Sequence, residues 1–106
     1  NLGTNGGRAC SPALRERLGE ILAASGERHV VDGRFKGGWI TRAFGRPQEG
    51  VEAAQMELGC RAYMEEPETI GLHNWPTPLD PRRAAPTRTT LKNVLQALLT
   101  FVGEAS

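Results

Sequence analysis

Apolar residues recur at helical spacing in two segments of this chain. In the first segment, Ser11 can cap a helix, Pro12 suits the first helical position, and Ser25-Gly26 can close it. The apolar positions between them fall on one face: Leu14, Leu18, Ile21 and Leu22. The pattern therefore predicts an amphipathic helix between the Ser11 cap and Ser25-Gly26.

A broader apolar stripe lies near the C-terminal end: Leu91, Val94, Leu95, Leu98, Leu99 and Val102. Asp80-Pro81 has the chemistry of a cap followed by a first-turn proline. Pro86 lies too far inside such a helix, because a proline there removes a backbone donor and clashes with the preceding turn. We predict that the helix either kinks or restarts at Pro86, and we favour a restart.

Short strands are predicted between the two helices. Residues 28–35 alternate weakly and contain two adjacent valines, which indicates a short strand turning at Asp32-Gly33. Residues 39–44 are predicted to be extended or loop-like, and Gly45-Arg46-Pro47 should break them.

Two further segments have the composition of connections. Residues 1–7 contain Asn5-Gly6-Gly7, which accepts positive φ, so we expect this segment to connect elements rather than to pack. Residues 67–79 are rich in proline and are predicted to form an irregular surface loop. Gly37-Gly38 is a candidate hinge in a basic loop.

The segment VEAAQMELGCRAYM, residues 51–64, has two interpretations. Its alanines, Gln, Met, Glu and Leu favour a helix. A period of two instead places Gln55 and Glu57 on the same face of an extended strand. Periodicity leaves both open, and in the extended form Glu57 would be an inward-pointing carboxylate.

Composition limits the size and the partners of the protein. With 106 residues, 39% apolar and 24% charged, the chain can bury one modest core, as a single domain or as part of one. Helices flanking short strands predict an α/β arrangement with a thin sheet. The net charge of +1 argues against nucleic acid as a partner, and no apolar run approaches the roughly 20 residues of a membrane span. The sequence does not decide whether Cys10 and Cys60 form a disulfide, but two free thiols are the favoured interpretation.

Three blocks of this sequence, in this order, resemble the N-formylglutamate amidohydrolase family: NLGTNGGRACSPALRERL, VDGRFKGGWITRAFGRPQEGVEAAQMELGCRAYMEE and RRAAPTRTTLKNVLQALL. The resemblance implies a zinc carboxypeptidase-like fold, a mixed sheet flanked by helices, of which residues 1–106 would be the C-terminal part. It also implies that the segment containing Glu57 is a strand.

The resemblance further implies a site. Glu57, in Gln55-Met56-Glu57-Leu58, would be the general base beside a zinc ion whose ligands lie outside this chain. Arg42, Arg34, Thr41 and Gln55 would bind a small-molecule substrate, N-formyl-L-glutamate or a related N-acyl amino acid. Arginine suits this task because it can bind a carboxylate bidentately. His29 and His73 lack a second ligand at a metal-site spacing and are not interpreted as ligands.

The resemblance also has departures and an alternative. Ala43, Phe44 and Glu52 stand where the family usually has His, Tyr and His. The implied protein is a cytoplasmic amidohydrolase, and this chain alone is expected to be inactive. The alternative is a free-standing, non-catalytic remnant of the family that serves as a binding or assembly module. A homo-oligomer would favour this alternative.

Overall fold

The structure is a computed structural model, and it describes residues 1–105. Its regular elements are β1 (Leu2–Gly3), α1 (Pro12–Ala24), α2 (Trp39–Phe44), β2 (Gln55–Met56) and α3 (Pro81–Ala105), with single 3-10 turns at Pro47–Glu49 and Cys60–Ala62. Strands β1 and β2 pair antiparallel, with Leu2 opposite Met56 and Gly3 opposite Gln55. The predicted combination of helices and strands is confirmed in this coarse form.

Helices α1 and α3 pack together and enclose the core. Its buried members are Leu2, Cys10, Leu14, Leu18, Leu22 and Val94. Burying each large apolar side chain stabilises the fold by about 1.5–3 kcal/mol. Because the α1 members recur every four residues, one face of that helix supplies half of this core.

Helix α1 follows the prediction at both ends. The Ser11 hydroxyl accepts the Leu14 N–H at 3.4 Å, and the helix ends at Ala24, just before Ser25. The Glu52 carboxylate accepts the Ser11 N–H at 2.6 Å, so a negative charge lies at the helix N-terminus, where it is stabilising.

The predicted restart at Pro86 is wrong, because α3 is a single helix with Pro86 inside it. A proline at this position forfeits one backbone hydrogen bond. The carboxylate of Glu27 holds the next turn by accepting the hydroxyls of Thr87 and Thr90 at 2.6 and 2.9 Å. These two contacts, together with the packing of α3 on α1, outweigh the loss of one bond.

The apolar stripe of α3 is only partly covered. Val94 is buried, but Leu95, Leu99 and Val102 are 60%, 70% and 66% exposed. Helix α1 contacts one side of the stripe, and the other side faces away from it. The stripe is therefore wider than the layer that packs on it.

The expectation that residues 1–7 do not pack is wrong. Leu2 and Thr4 are fully buried, and the Leu2 N–H donates to the Val30 carbonyl at 2.9 Å. On the same edge the Asp32 N–H donates to the Leu2 carbonyl at 2.7 Å. Residues 1–4 thus lie between β2 and the loop that follows α1.

The strand predicted for residues 28–35 is wrong as well. Its only ladder pairing within residues 1–105 is a single bridge between Leu2 and Val31. Asp32 has φ +52°, a left-handed conformation that turns the chain out of line after one pair.

Residues 39–44 form α2 rather than the extended segment or loop we predicted. The Arg42 N–H donates to the Gly38 carbonyl and the Gly45 N–H to the Thr41 carbonyl, both at 3.1 Å. The predicted break at Gly45 is confirmed, since α2 ends at Phe44.

Residues 51–64 resolve in favour of the extended alternative around Gln55. Main-chain bonds from Ala53 to Ala9 and from Glu57 to Asn1, each 2.9 Å, attach this segment to the N-terminal residues. Tertiary pairing overrides helix propensity here.

The irregular loop predicted for residues 67–79 is confirmed, and the Asp80 N–H closes its base on the Tyr63 carbonyl at 2.8 Å. Within residues 1–105 we find no helix of the length and hydropathy that a membrane span requires.

Candidate functional site

Residues Gly37-Gly38, the candidate hinge of the sequence and called the hinge below, lie directly on β1. A Cβ atom on Gly3 would lie 2.8 Å from the carbonyl carbon of Lys36, so only glycine allows this approach. The Asn5 N–H donates to the Lys36 carbonyl at 2.7 Å. These contacts set the position of the hinge relative to the sheet.

Gln55 joins the hinge to Glu57. Its Oε1 accepts the Gly38 N–H at 2.6 Å, and its Nε2 donates to Glu57 Oε2 at 3.1 Å. Two predicted site residues, Gln55 and Glu57, therefore share one chain of hydrogen bonds with the hinge.

Arg42 and Thr41 hold the hinge from the other side. The Arg42 guanidinium donates to the Gly37 carbonyl at 2.9 Å, and the Arg42 side chain is exposed. Thr41 is only 4% exposed, and a Cβ on Gly37 would lie 2.8 Å from its methyl group. Gly37 has φ +123°, which side chains other than glycine rarely adopt.

Arg34 is not part of this group of hydrogen bonds within residues 1–105. Its guanidinium lies over the ring of Phe35, 5.8 Å from the centroid. The Phe35 carbonyl accepts the Asn1 side-chain N–H at 2.5 Å, which fixes this turn of the loop. Arg34 is exposed and free of a carboxylate partner in the described residues.

The interpretation of Glu57 as an inward-pointing carboxylate is wrong, because its side chain is exposed. Both main-chain groups of Glu57 are bonded to Asn1, at 2.8 and 2.9 Å. Glu57 directly follows β2, a strand of the two-stranded sheet, and its side chain reaches solvent.

Glu57 lines a cleft of about 410 Å³ between β2, the loop after α1 and the start of α3. This volume lies in the range of roughly 300–1,000 Å³ that is common for small-molecule sites. Met56 and Leu58 supply apolar wall, and three basic side chains share the lining: Arg28, His29 and Arg61. A wider groove of about 570 Å³ around residues 65–68 contains none of the predicted site residues.

None of the basic residues of the cleft was assigned to a site from the sequence, and His29 was named only to be set aside as a metal ligand. Arg28 and His29 follow α1, whereas Arg61 lies in the 3-10 turn after β2. His29 Nδ1 lies 2.9 Å from the Glu27 carbonyl oxygen. No local spacing links residue 28 to residue 61, so only the fold brings them to one cleft.

No three His, Cys, Asp or Glu side chains of residues 1–105 come together as a metal site.

A second polar cluster centres on Asp32, whose side chain is 7% exposed. Its carboxylate accepts the Thr4 N–H at 2.6 Å and the Thr4 hydroxyl, and Arg15 donates to it at 3.0 and 3.2 Å. Burial alone would raise the pKa of this carboxyl. The hydrogen bonds from Thr4, Arg15 and Gly6 prevail and hold its pKa below the ordinary value of 3.8.

Comparison with known proteins identifies the class. The family model of N-formylglutamate amidohydrolases matches residues 1–64. The N-formylglutamate deformylase of Pseudomonas putida is 46% identical over 105 residues, which cover 98% of this chain and 37% of that protein. The Pseudomonas aeruginosa protein of the same name is 42% identical over 102 residues, covering 95% and 36%. No solved structure matches significantly.

The chain belongs to the N-formylglutamate amidohydrolase family, as the resemblance of its three sequence blocks indicated. It spans a little over one third of the length of the two curated relatives.

Proposed function

We propose that this chain is part of a hydrolase that cleaves the formamide of N-formyl-L-glutamate, or of a related N-acyl amino acid, to formate and the free amino acid. One observation carries the proposal. Gln55 connects the Glu57 carboxylate to the hinge, and Arg42 donates to the Gly37 carbonyl of the same hinge, so a candidate base and a candidate carboxylate-binding group share one scaffold.

Each residue has a role in this proposal. Glu57 takes a proton from the attacking water and delivers it to the leaving amine, which is general acid–base catalysis by a carboxylate. Arg42 and Arg34 bind carboxylates of the substrate, and both guanidinium groups are exposed and accessible to it. Thr41 and Gln55 remain predicted substrate-binding residues, although Thr41 is buried against the hinge.

The described residues do not fit a zinc site by themselves, because residues 1–105 bring no set of three ligating side chains together. We propose that the zinc implied by the family resemblance takes its ligands from outside this chain. The same reasoning extends to the fold: the β1–β2 pair would belong to a larger zinc carboxypeptidase-like mixed sheet. On this proposal the chain alone does not hydrolyse the formamide, and the cytoplasm is its expected location.

A chimera tests this proposal. The segment of the Pseudomonas putida deformylase that matches this chain is replaced by residues 1–106, and formate release from N-formyl-L-glutamate is measured with zinc and with a chelator. We expect chelator-sensitive release from the chimera and none from the 106-residue chain. Glu57→Gln should lower kcat by at least about a hundredfold, the lower range for loss of a general base.

The matched control is Glu68→Gln, which neutralises an exposed carboxylate in the irregular loop. A folded chimera that releases no formate would overturn the proposal. So would a Glu57→Gln chimera as active as the control.

The exposed half of the α3 stripe supports a second candidate function, a non-catalytic module that assembles through α3. Leu95, Leu99 and Val102 would pack against a second copy. Sedimentation of the chain should then show a dimer that Leu99→Glu dissociates, whereas Leu72→Glu in the exposed loop leaves it intact. A monomeric wild-type chain excludes this candidate.

A further inference from the structure

Gln55 makes two opposite kinds of hydrogen bond at once. Its oxygen accepts from the Gly38 main chain at 2.6 Å, and its nitrogen donates to the Glu57 carboxylate at 3.1 Å. We propose that Gln55 is a positioning residue that holds the Glu57 carboxylate in a set place relative to the Gly37-Gly38 hinge. The inference rests on the proposed role of Glu57 as the base.

The chemistry of position 55 requires an amide. A main-chain N–H needs an acceptor and an ionised carboxylate needs a donor, and the planar carboxamide presents one of each. A glutamate at this position would still accept from Gly38, but it would set a second negative charge beside Glu57. A methionine of similar length would form neither hydrogen bond.

The backbone around Gln55 is well placed for this role. Gln55 lies directly opposite Gly3 in the antiparallel pair, and Gly3 contacts the main chain of Lys36. A Cβ on Gly3 would point at the Lys36–Gly37 main chain, and directly paired residues of an antiparallel sheet present their side chains on the same face. The Gln55 side chain therefore lies on the sheet face that carries the loop, where it reaches Gly38.

Arg42 extends the connection to the other side of the hinge. Its guanidinium donates to the Gly37 carbonyl, one residue from the N–H that Gln55 accepts. A displacement of the hinge when Arg42 binds a substrate carboxylate would therefore be transmitted through Gln55 to Glu57.

Nuclear magnetic resonance of the 106-residue chain tests the proposal without any need for activity. The two readouts are the hydrogen-exchange rate of the Gly38 amide and the signal of the Glu57 carboxyl carbon at fixed pH. We expect Gln55→Met to accelerate Gly38 exchange about tenfold, equivalent to one hydrogen bond, and to shift the Glu57 signal. Gln55→Glu should shift the Glu57 signal while Gly38 exchange stays near wild type.

Two controls separate positioning from general loosening of the fold. Gln48→Met replaces an exposed glutamine in a different turn and should change neither readout. Gly38→Ala places a Cβ 3.3 Å from Gln55 Oε1 and so pushes on the amide. It should move the Glu57 carboxyl signal in the wild-type background and leave that signal unmoved when Gln55 is methionine.

An unchanged Glu57 signal in both Gln55 variants would overturn the inference. An equal response to Gly38→Ala with and without Gln55 would overturn it too. If Gln55→Met does not fold, Gln55→Glu decides, since the two readouts should separate in that variant. Failure of the chimera to release formate would refute the proposed function while these hydrogen bonds stood, so the two failures are distinguishable.

Discussion

The guanidinium of Arg15 lies 3.0 Å from the carboxylate of Asp32, which joins α1 to the loop that carries the glycine hinge. The same carboxylate binds the main chain and the hydroxyl of Thr4. Three segments far apart in sequence therefore meet at one buried negative charge. This cluster supports the site without belonging to it.

We predict that Asp32→Asn lowers the free energy of unfolding by about 2 kcal/mol, because buried donors lose a charged acceptor. Asparagine tolerates the left-handed φ of this position, so the effect comes from the lost charge and not from the backbone. Urea denaturation at neutral pH measures it. The control is Glu20→Gln, on the exposed face of α1, which should be nearly neutral.

Asp32 also predicts how stability depends on pH. The folded state holds the pKa of this carboxyl below 3.8, so at low pH the unfolded chain binds the proton more readily. The contribution of Asp32 is complete above about pH 3.8 and is lost as the pH falls through the lower folded-state pKa. In Asp32→Asn the unfolding free energy should fall less steeply as the pH is lowered below about 3.8. The same dependence on pH in the wild type and the variant would contradict the lowered pKa of Asp32.

Glu27 should be needed for docking of α3. Its carboxylate accepts the buried hydroxyls of Thr87 and Thr90, so Glu27→Ala should cost about 2 kcal/mol of unfolding free energy. Thr90 has a second acceptor, the Pro86 carbonyl at 3.2 Å, so Thr87 depends more on Glu27. A double-mutant cycle with Thr87→Val should show strong non-additivity, and strictly additive losses would refute the contact.

Gly45 should not tolerate a side chain. A Cβ there would lie 2.5 Å from the Cβ of Ala9 and 2.6 Å from its main chain, so Gly45→Ala must displace the N-terminal segment. We expect a loss of at least about 2 kcal/mol of unfolding free energy, within the range for overpacking. Gly59→Ala is the matched control, because nothing lies within 4 Å of the added atom and its φ is −69°. Equal stabilities of the two variants would contradict the close approach.

The two cysteines should differ in reactivity. Both are free thiols, consistent with the interpretation favoured from the sequence. Burial raises the pKa of Cys10 to about 11, with Glu52 adding to the shift, so little of its reactive thiolate forms at pH 8. Iodoacetamide should therefore modify partly exposed Cys60 in the folded chain and Cys10 only after unfolding, as mass spectrometry would show. Equal labelling of both in the folded chain would contradict the burial of Cys10.

The candidate site could be predicted only in part. Gln55, Glu57, Thr41 and Arg42 are named from the sequence blocks, and the structure joins all four to one hinge. The exposure of the Glu57 side chain was not predictable, since it depends on which other segments pack on that face of the sheet. The basic lining of the cleft was missed because its members come from segments about thirty residues apart.

The sequence by itself determined the buried face of α1, the caps at Ser11 and Asp80, and the family. These depend on residues close together in the chain or on ordered blocks of identity. Only the tertiary structure decided the continuity of α3 through Pro86, the extended form of residues 51–57 and the burial of Leu2. In each case pairing and packing between segments distant in sequence decided the outcome, and no pattern within one segment records those contacts. At Pro86 and in residues 51–57 they outweighed a local preference of about 1 to 3 kcal/mol.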